Sequence, residues 1–359
     1  MESKRVHIIG AGPAGASLAF MLKGTTHEVF VYEASPALGS KACGWAVPAI
    51  VERVTFIPKE AILTEIRRVR VFLNGRELTE IETKSKWGYV LNKPLWLKIL
   101  LEASRVELSR RITEEQIGYL TTNSDVDIVV IATGFYWSRS PRERINAVQY
   151  VIGNLKLSDV ESVEFWFEQD NIGYYWVFPQ GDTSLRIGVG GFKSYRELWS
   201  MLDSFVKKRL GACTGRKLGA GGAPIIVSGI QESLLEVSNR VYATGEAVGA
   251  VFPLTGEGIR PSIITSSALA KHIIGGRAYV EELRKSGLLN AMKAHKRVLE
   301  YLRKATPKER GEVLASLPSD FLVDFAVGDV NGRKAFMKLA STIRKPGVLA
   351  RLARLLLAE

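Results

Sequence analysis

The run Gly10-Ala11-Gly12-Pro13-Ala14-Gly15 constrains the fold more than any other feature of the chain. It follows the apolar, strand-like Val6-His7-Ile8-Ile9 and opens a helical stretch from Ala14 to Lys23. Each glycine has a separate task in that setting: Gly10 permits the tight turn, Gly12 lets backbone approach a pyrophosphate, and Gly15 lets the helix lie close on a sheet. The helix start offers free N–H groups and partial positive charge to phosphate. Glu28 to Tyr32 reads as a second strand, closed by Glu33 and Ala34. A carboxylate there can hold the hydroxyls of an adenosine ribose. Strand, glycine turn, helix and acid in register predict a βαβ dinucleotide unit.

FAD and NAD share this unit, so the choice rests elsewhere. Val241-Tyr242-Ala243-Thr244-Gly245-Glu246 reads as a buried strand ending in an acid, and Pro253-Leu254-Thr255-Gly256-Glu257-Gly258-Ile259 as a glycine loop opening a helix. Glu246 is placed to hold a ribitol hydroxyl. The helix start at Gly256, Gly258 and Ile259 is placed to face the flavin edge where a reduced ring gathers negative charge. FAD therefore fits better than NAD. A further buried strand, Ile128 to Ile131, ends in Ala132-Thr133-Gly134, which adds Ala132 and Gly134 to the candidate cofactor residues.

Between these segments the hydrophobic period changes. Asn74-Gly75 joins two alternating runs and predicts a hairpin, because both turn positions accept positive φ. Val163, Phe165 and Phe167 share one strand face and Tyr174, Trp176 and Phe178 another, predicting a second, antiparallel sheet. The expected class is α/β: a Rossmann-like FAD-binding domain from residues 1–55, 88–138 and 236–276, an inserted antiparallel-sheet substrate domain from 56–87 and 139–235, and a helical region from 277–359. Gly219-Ala220-Gly221-Gly222 precedes Pro224 and a β-branched run with no helix to receive a phosphate, and is read as a turn.

Composition closes off other classes. With 359 residues, 46% hydrophobic, the chain can bury a core and form two domains. Two cysteines, Cys43 and Cys213, cannot build a disulfide framework or a four-thiolate cluster, and His7, His27, His272 and His295 lack ligand-like spacing, so no metal site is expected. The first apolar stretch is broken by Gly10, Gly12, Pro13 and Gly15, which argues against a signal peptide, and no later run is long enough to span a membrane. The net charge of +12 favours anionic partners. Lys293, Lys296, Arg297, Arg303 and Lys304 read as a solvated face, without the interleaved aromatics of an RNA site, so no nucleic acid is expected. Val348, Leu349, Leu352, Leu355 and Leu356 share one helical face near the end, to rest either on the protein's own core or on an anionic lipid surface.

Taken together, Gly10 to Gly15 with Glu33, Lys41-Ala42-Cys43-Gly44, Gly173-Tyr174-Tyr175-Trp176-Val177-Phe178-Pro179 before Gly188-Val189-Gly190, and the Gly245-Glu246 to Ile259 block resemble the geranylgeranyl reductase family of flavoproteins. The likeness covers most of residues 1–275. It implies a para-hydroxybenzoate-hydroxylase-like fold and an FAD enzyme that saturates isoprenoid double bonds, chiefly those of archaeal ether-lipid precursors. It places Cys43 and Gly44 over the flavin ring, Pro253 at the same edge, and Trp45, Tyr174, Trp176 and Phe178 along the substrate. Cys43 is equally readable as a small buried hydrophobe, and the aromatics as ordinary sheet core. Three departures stand out: Glu246 where the family often has Asp, Lys93 in place of an arginine near the flavin phosphates, and no Asp before Gly134.

Alkene reduction needs a hydride donor, a proton donor and a dry site. Two other readings stay open: a flavin monooxygenase or halogenase on the same fold, and a non-catalytic or nucleic-acid-associated flavin binder. The expected partners are a prenylated lipid and an external electron donor, ferredoxin or NAD(P)H. The expected location is cytoplasmic, with peripheral contact at the inner membrane face.

Overall fold

Runs of β-branched residues build the central layer: Val6, Ile8, Val31, Val129 and Val130 are fully buried, as strands covered on both faces must be. A computed structural model describes residues 3–319 and 322, apart from 84 and 212–214. Its six-stranded sheet runs in the order Glu236–Ser238, Val241–Ala243, Ile128–Ile131, Arg5–Ile9, Glu28–Tyr32, Arg105–Glu107. All neighbours are parallel except the Glu236–Ser238 edge. Helices Pro13–Met21 and Ile259–Gly275 pack against each other beside this sheet, so the two glycine turns that open them meet on one side. The chain is α/β.

The second sheet has seven strands in the order Arg216–Ile226, Arg144–Gly153, Leu185–Gly191, Gly173–Pro179, Ser162–Phe167, Arg68–Leu73, Arg76–Glu82. Asn74 (φ 49°) and Gly75 (φ 82°) form the expected hairpin turn. One face packs Val148, Ile187 and Val189 on Leu198, Leu202 and Phe205 of helix Tyr195–Leu210, whose first turn carries a Ser194–Glu197 capping box. The other face carries the aromatic residues.

The structure corrects the sequence expectation at several points. Gly219 to Gly222 are not a turn but part of strand Arg216–Ile226, paired with Val148 to Val151. A strand of glycines shows no side-chain alternation, and the space is filled by neighbours instead: a Cβ on Gly221 would lie 3.3 Å from Ala42, and one on Gly222 3.1 Å from the Tyr195 ring. The second sheet is mixed, because Ser162–Phe167 pairs in parallel with Arg68–Leu73. Phe165, Phe167, Tyr174 and Phe178 do not occupy separate faces; they join one wall. A three-stranded sheet of Ala46–Pro48, Gly88–Leu91 and Ile62–Ile66 was not anticipated.

Helices Tyr279–Lys285, Leu288–Lys304 and Pro307–Ser316 continue the chain. The basic stretch of the second is not wholly a solvated face: Lys296 and Arg303 both pair with Glu143, and Arg303 also stacks on Phe192. The Val348 to Leu356 segment and Cys213 lie outside the described residues. Among the described residues no helix is long and apolar enough to cross a membrane.

Candidate functional site

Two glycine-capped helix starts open onto one cavity of about 1030 Å³. At the first, Gly10 has φ 107°, and a Cβ there would run into the Ala132 carbonyl. A Cβ on Gly15 would meet the Gly10 carbonyl, whereas one on Gly12 would meet nothing within 4 Å. Gly10 and Gly15 thus serve the close packing of the turn, and Gly12 faces open space. Gly12 and Gly258 cap their helices without a side-chain acceptor, which leaves the first N–H groups available. Glu33 accepts hydrogen bonds from the Ala11 N–H at 2.9 Å and the Ser35 N–H at 2.9 Å, so it braces the turn as well as lining the cavity with Ala34.

At the second start, Gly245 (φ 69°) lies against Ala14 and Ser262 and, like Gly15, is a packing glycine set back from the cavity. Glu246 accepts from Lys41 Nζ at 2.5 Å and from the Ile226 N–H at 3.2 Å. It sits beside Gly134, where a Cβ would approach its Oε2 to 3.3 Å. Ala132, Gly256, Gly258 and Ile259 also line the cavity.

Lys93 begins helix Lys93–Leu100, capped by the Asn92 side chain, which accepts from the Leu95 N–H at 3.3 Å. It is 4% exposed and lines the cavity, and its side chain makes no hydrogen bond or ion pair among the described residues. Burial is the main cause lowering its pKa; the charges of Lys41 and Arg186 lower it further, and Cys43 and Glu246 oppose them. An isolated buried ammonium is costly, and a phosphate is the counter-charge its position lacks. The open face of Gly12 and the unpaired Lys93 therefore fit a dinucleotide lying across the cavity.

The far wall is aromatic. Phe165 packs edge-on to Tyr174 and to Phe178, with ring centroids 5.5 Å apart in each case, and Tyr174 lies 6.3 Å from Trp176. Tyr174 Oη donates to the Thr255 carbonyl, tying this wall to the loop before the second helix start. Burial raises the Tyr174 phenol above its ordinary range, so it stays protonated. Cys43, Gly44, Trp45 and Pro253 line the space between, and Gly44 is required by contact: a Cβ there would lie 2.7 Å from the Phe178 ring. Beyond the aromatics the lining turns aliphatic, with Leu299, Leu302, Val313 and Leu314 from the later helices.

Residues 144–223, which carry the aromatic strand, match the family model of the geranylgeranyl reductase catalytic domain. Among curated proteins, the digeranylgeranylglycerophospholipid reductase of Methanocaldococcus jannaschii is 25% identical over 290 residues, covering 71% of this chain and 72% of its own. The chain is similar to the geranylgeranyl reductase family over these residues and over most of its length. Solved structures share the fold of this chain. A geranylgeranyl bacteriochlorophyll reductase-like protein from Thermoplasma acidophilum superposes with TM-score 0.76 at 18% identity, covering 99% of this chain and 100% of its own. CtdE, crystallised with FAD and a substrate, gives TM-score 0.60 at 14% identity over 98% and 97%. The fold is that of the hydroxylase-type flavoproteins.

The residues singled out from the sequence thus surround one cavity, apart from the packing glycines 15 and 245. Lys41, which lines the cavity, was missed, as was Arg186, which packs on the lining residue Trp45. Lys41 carried a signal, since it stands in the Lys41 to Gly44 segment; Arg186 carried only its oddity, a lone charge at an alternating position between glycines and aliphatics.

Proposed function

We propose that this chain is an FAD-dependent oxidoreductase that saturates isoprenoid double bonds of geranylgeranyl chains, in ether-lipid precursors or related prenyl compounds. The observation that carries the reading is continuity: the two glycine-capped helix starts and the aromatic wall bound a single cavity. Bound FAD would supply the hydride. Gly12 and the first helix start would take the pyrophosphate with Lys93 as counter-charge, Glu33 the ribose, and Glu246 the ribitol from beside its Lys41 partner. The N–H groups at Gly258 and Ile259 would face the ring edge that becomes negative on reduction. Trp45, Tyr174, Trp176, Phe178 and Pro253 would hold an apolar chain by area and shape and keep water out, with Cys43 between chain and ring.

In the same reading, residues 1–55, 88–138 and 236–276 form the cofactor domain, 56–87 and 139–235 the substrate domain, and 277–359 a helical region. The protein works in the cytoplasm and meets its lipid at the inner membrane face, which its charge of +12 favours. Electrons come from ferredoxin or a nicotinamide donor.

The test is anaerobic turnover. Protein reduced with dithionite is given a panel of geranylgeranylated lipids, and products are read by mass spectrometry. A gain of two hydrogens per reduced bond supports the reading. A product heavier by one oxygen in air, with none hydrogenated, would replace it with a monooxygenase.

A further inference from the structure

Arg186 lies on strand Leu185–Gly191, where Leu185, Ile187 and Val189 point into the helix-covered core. Alternation turns Arg186, Gly188 and Gly190 to the opposite, aromatic face. Gly188 is covered by the Trp176 indole, which leaves Arg186 at the end of the wall, 8% exposed. Among the described residues no carboxylate pairs with it, and its Nε has no hydrogen-bond partner. Burial lowers its pKa to about 10, so it remains a cation at neutral pH. A buried guanidinium without a counter-charge is unfavourable unless something else holds it.

What holds it is the turn that carries Cys43. The guanidinium carbon lies 3.4 Å from the centroid of the Trp45 ring, and Nη1 donates to the Cys43 carbonyl at 3.4 Å. Trp45 has φ 65°, a left-handed conformation that a bulky residue adopts only when its surroundings impose it. A planar cation stacked on an indole satisfies both groups, because the ring face attracts the charge that lacks a carboxylate.

We propose that Arg186 is a positioning residue, which clamps the Cys43-Gly44-Trp45 turn against the aromatic wall so that Cys43 and Trp45 face the cavity in one conformation. The consequence for turnover rests on the reductase reading; the clamp itself does not. Lysine at this position keeps the charge but loses the stacked plane and the fork, so charge and stacking are separable.

The experiment uses the FAD-loaded protein in a C213S background, where Cys43 is the one remaining thiol, and follows its alkylation by iodoacetamide. R186M and R186K are both expected to speed labelling by about tenfold, the factor set by losing one stacked cation–π contact. Melting temperature is expected to move little, and kcat to fall more than KM rises. Labelling at the parent rate in R186M overturns the proposal, as does R186K labelling like the parent, which would leave charge alone as the determinant. If R186M does not fold, W45L removes the stacked face from the other side and is expected to raise labelling by the same factor; an unchanged rate there also overturns the clamp. Parent protein that hydrogenates no prenyl lipid would defeat the reductase reading while leaving the labelling result interpretable.

Discussion

The two walls of the cavity are made of different materials. On the side of the parallel sheet the surface is mostly backbone: glycine turns at residues 10 to 15 and 256 to 258, helix N–H groups, and two braced carboxylates, Glu33 and Glu246. On the side of the mixed sheet it is side chains: Phe165, Tyr174, Trp176 and Phe178, with Trp45 folded over Arg186. A backbone surface suits a ligand that is always the same, because N–H groups and absent side chains specify phosphate geometry closely. An aromatic surface suits a flexible apolar chain, which needs area rather than hydrogen bonds.

The largest expected effect breaks the backbone wall. Gly10→Val places a side chain where φ is 107° and the Ala132 carbonyl already stands, so a loss of about 4 kcal/mol or more is expected, read as little folded protein and no retained flavin. Gly12→Ala is the contrasting case, since open space surrounds it. Its melting temperature without flavin should match the parent, while flavin affinity falls about tenfold or more as the methyl displaces phosphate. If the two variants lose stability equally, the division of labour between the glycines is wrong.

The matching perturbation on the side-chain wall is smaller. A methyl on Gly44 meets the edge of the Phe178 ring, which can tilt, whereas the Ala132 carbonyl cannot. Gly44→Ala is expected to cost about 1 to 3 kcal/mol and to slow turnover of long prenyl chains while flavin content holds. Flavin loss comparable to that of Gly10→Val would show that the two walls are not independent.

This contrast also explains what could be read without a structure. The turn at Gly10 to Gly15 and the Asn74-Gly75 hairpin are local, and each requires residues that tolerate positive φ or close approach, so their chemistry is visible in the chain. The aromatic wall depends on which strands become neighbours. The parallel pairing of Ser162–Phe167 with Arg68–Leu73 brings Val71 and Phe165 side by side across a long stretch of sequence, and no local pattern announces it. Gly219 to Gly222 misled for the opposite reason: glycine signals a turn when seen alone and a strand only when the neighbours that need its space are known. The resemblance singles out Lys93 as a cofactor candidate, standing where relatives place an arginine, but nothing in the chain announces that its side chain is buried without a partner.

Lys93 tests whether the backbone wall is built for its ligand or for itself. Its folded pKa is lowered, so between that value and 10.5 the unfolded chain binds more protons than the folded one. Flavin-free protein should therefore gain stability as pH rises through that window, and Lys93→Met should abolish the gain. At neutral pH the substitution is expected to raise the melting temperature of the flavin-free protein by a few degrees, because a thioether replaces an amine whose charged form burial disfavours, yet weaken flavin binding by about tenfold. Titration calorimetry and thermal melts on both forms check the opposed signs. A variant less stable without flavin would mean that Lys93 serves the fold.

The smallest effect falls where the two walls meet. Glu246 belongs to the parallel-sheet side, yet its partners are Lys41, from the segment leading to Cys43, and the Ile226 N–H, from the edge strand of the mixed sheet. Lys41 is one-third exposed, so solvent screens the pair and Lys41→Met is expected to cost about 1 kcal/mol or less, a shift of a few degrees at most in melting. High salt should shrink the difference between parent and variant, because the attraction that is lost is the screened one. The partly buried Ile226 bond is unaffected by the substitution and keeps Glu246 in place. Flavin affinity should consequently change little, whereas release of the segment before Cys43 should appear as faster alkylation of that thiol. If Lys41→Met instead costs as much as Gly44→Ala, the joint rather than either wall governs the site, and the two surfaces must be treated as one.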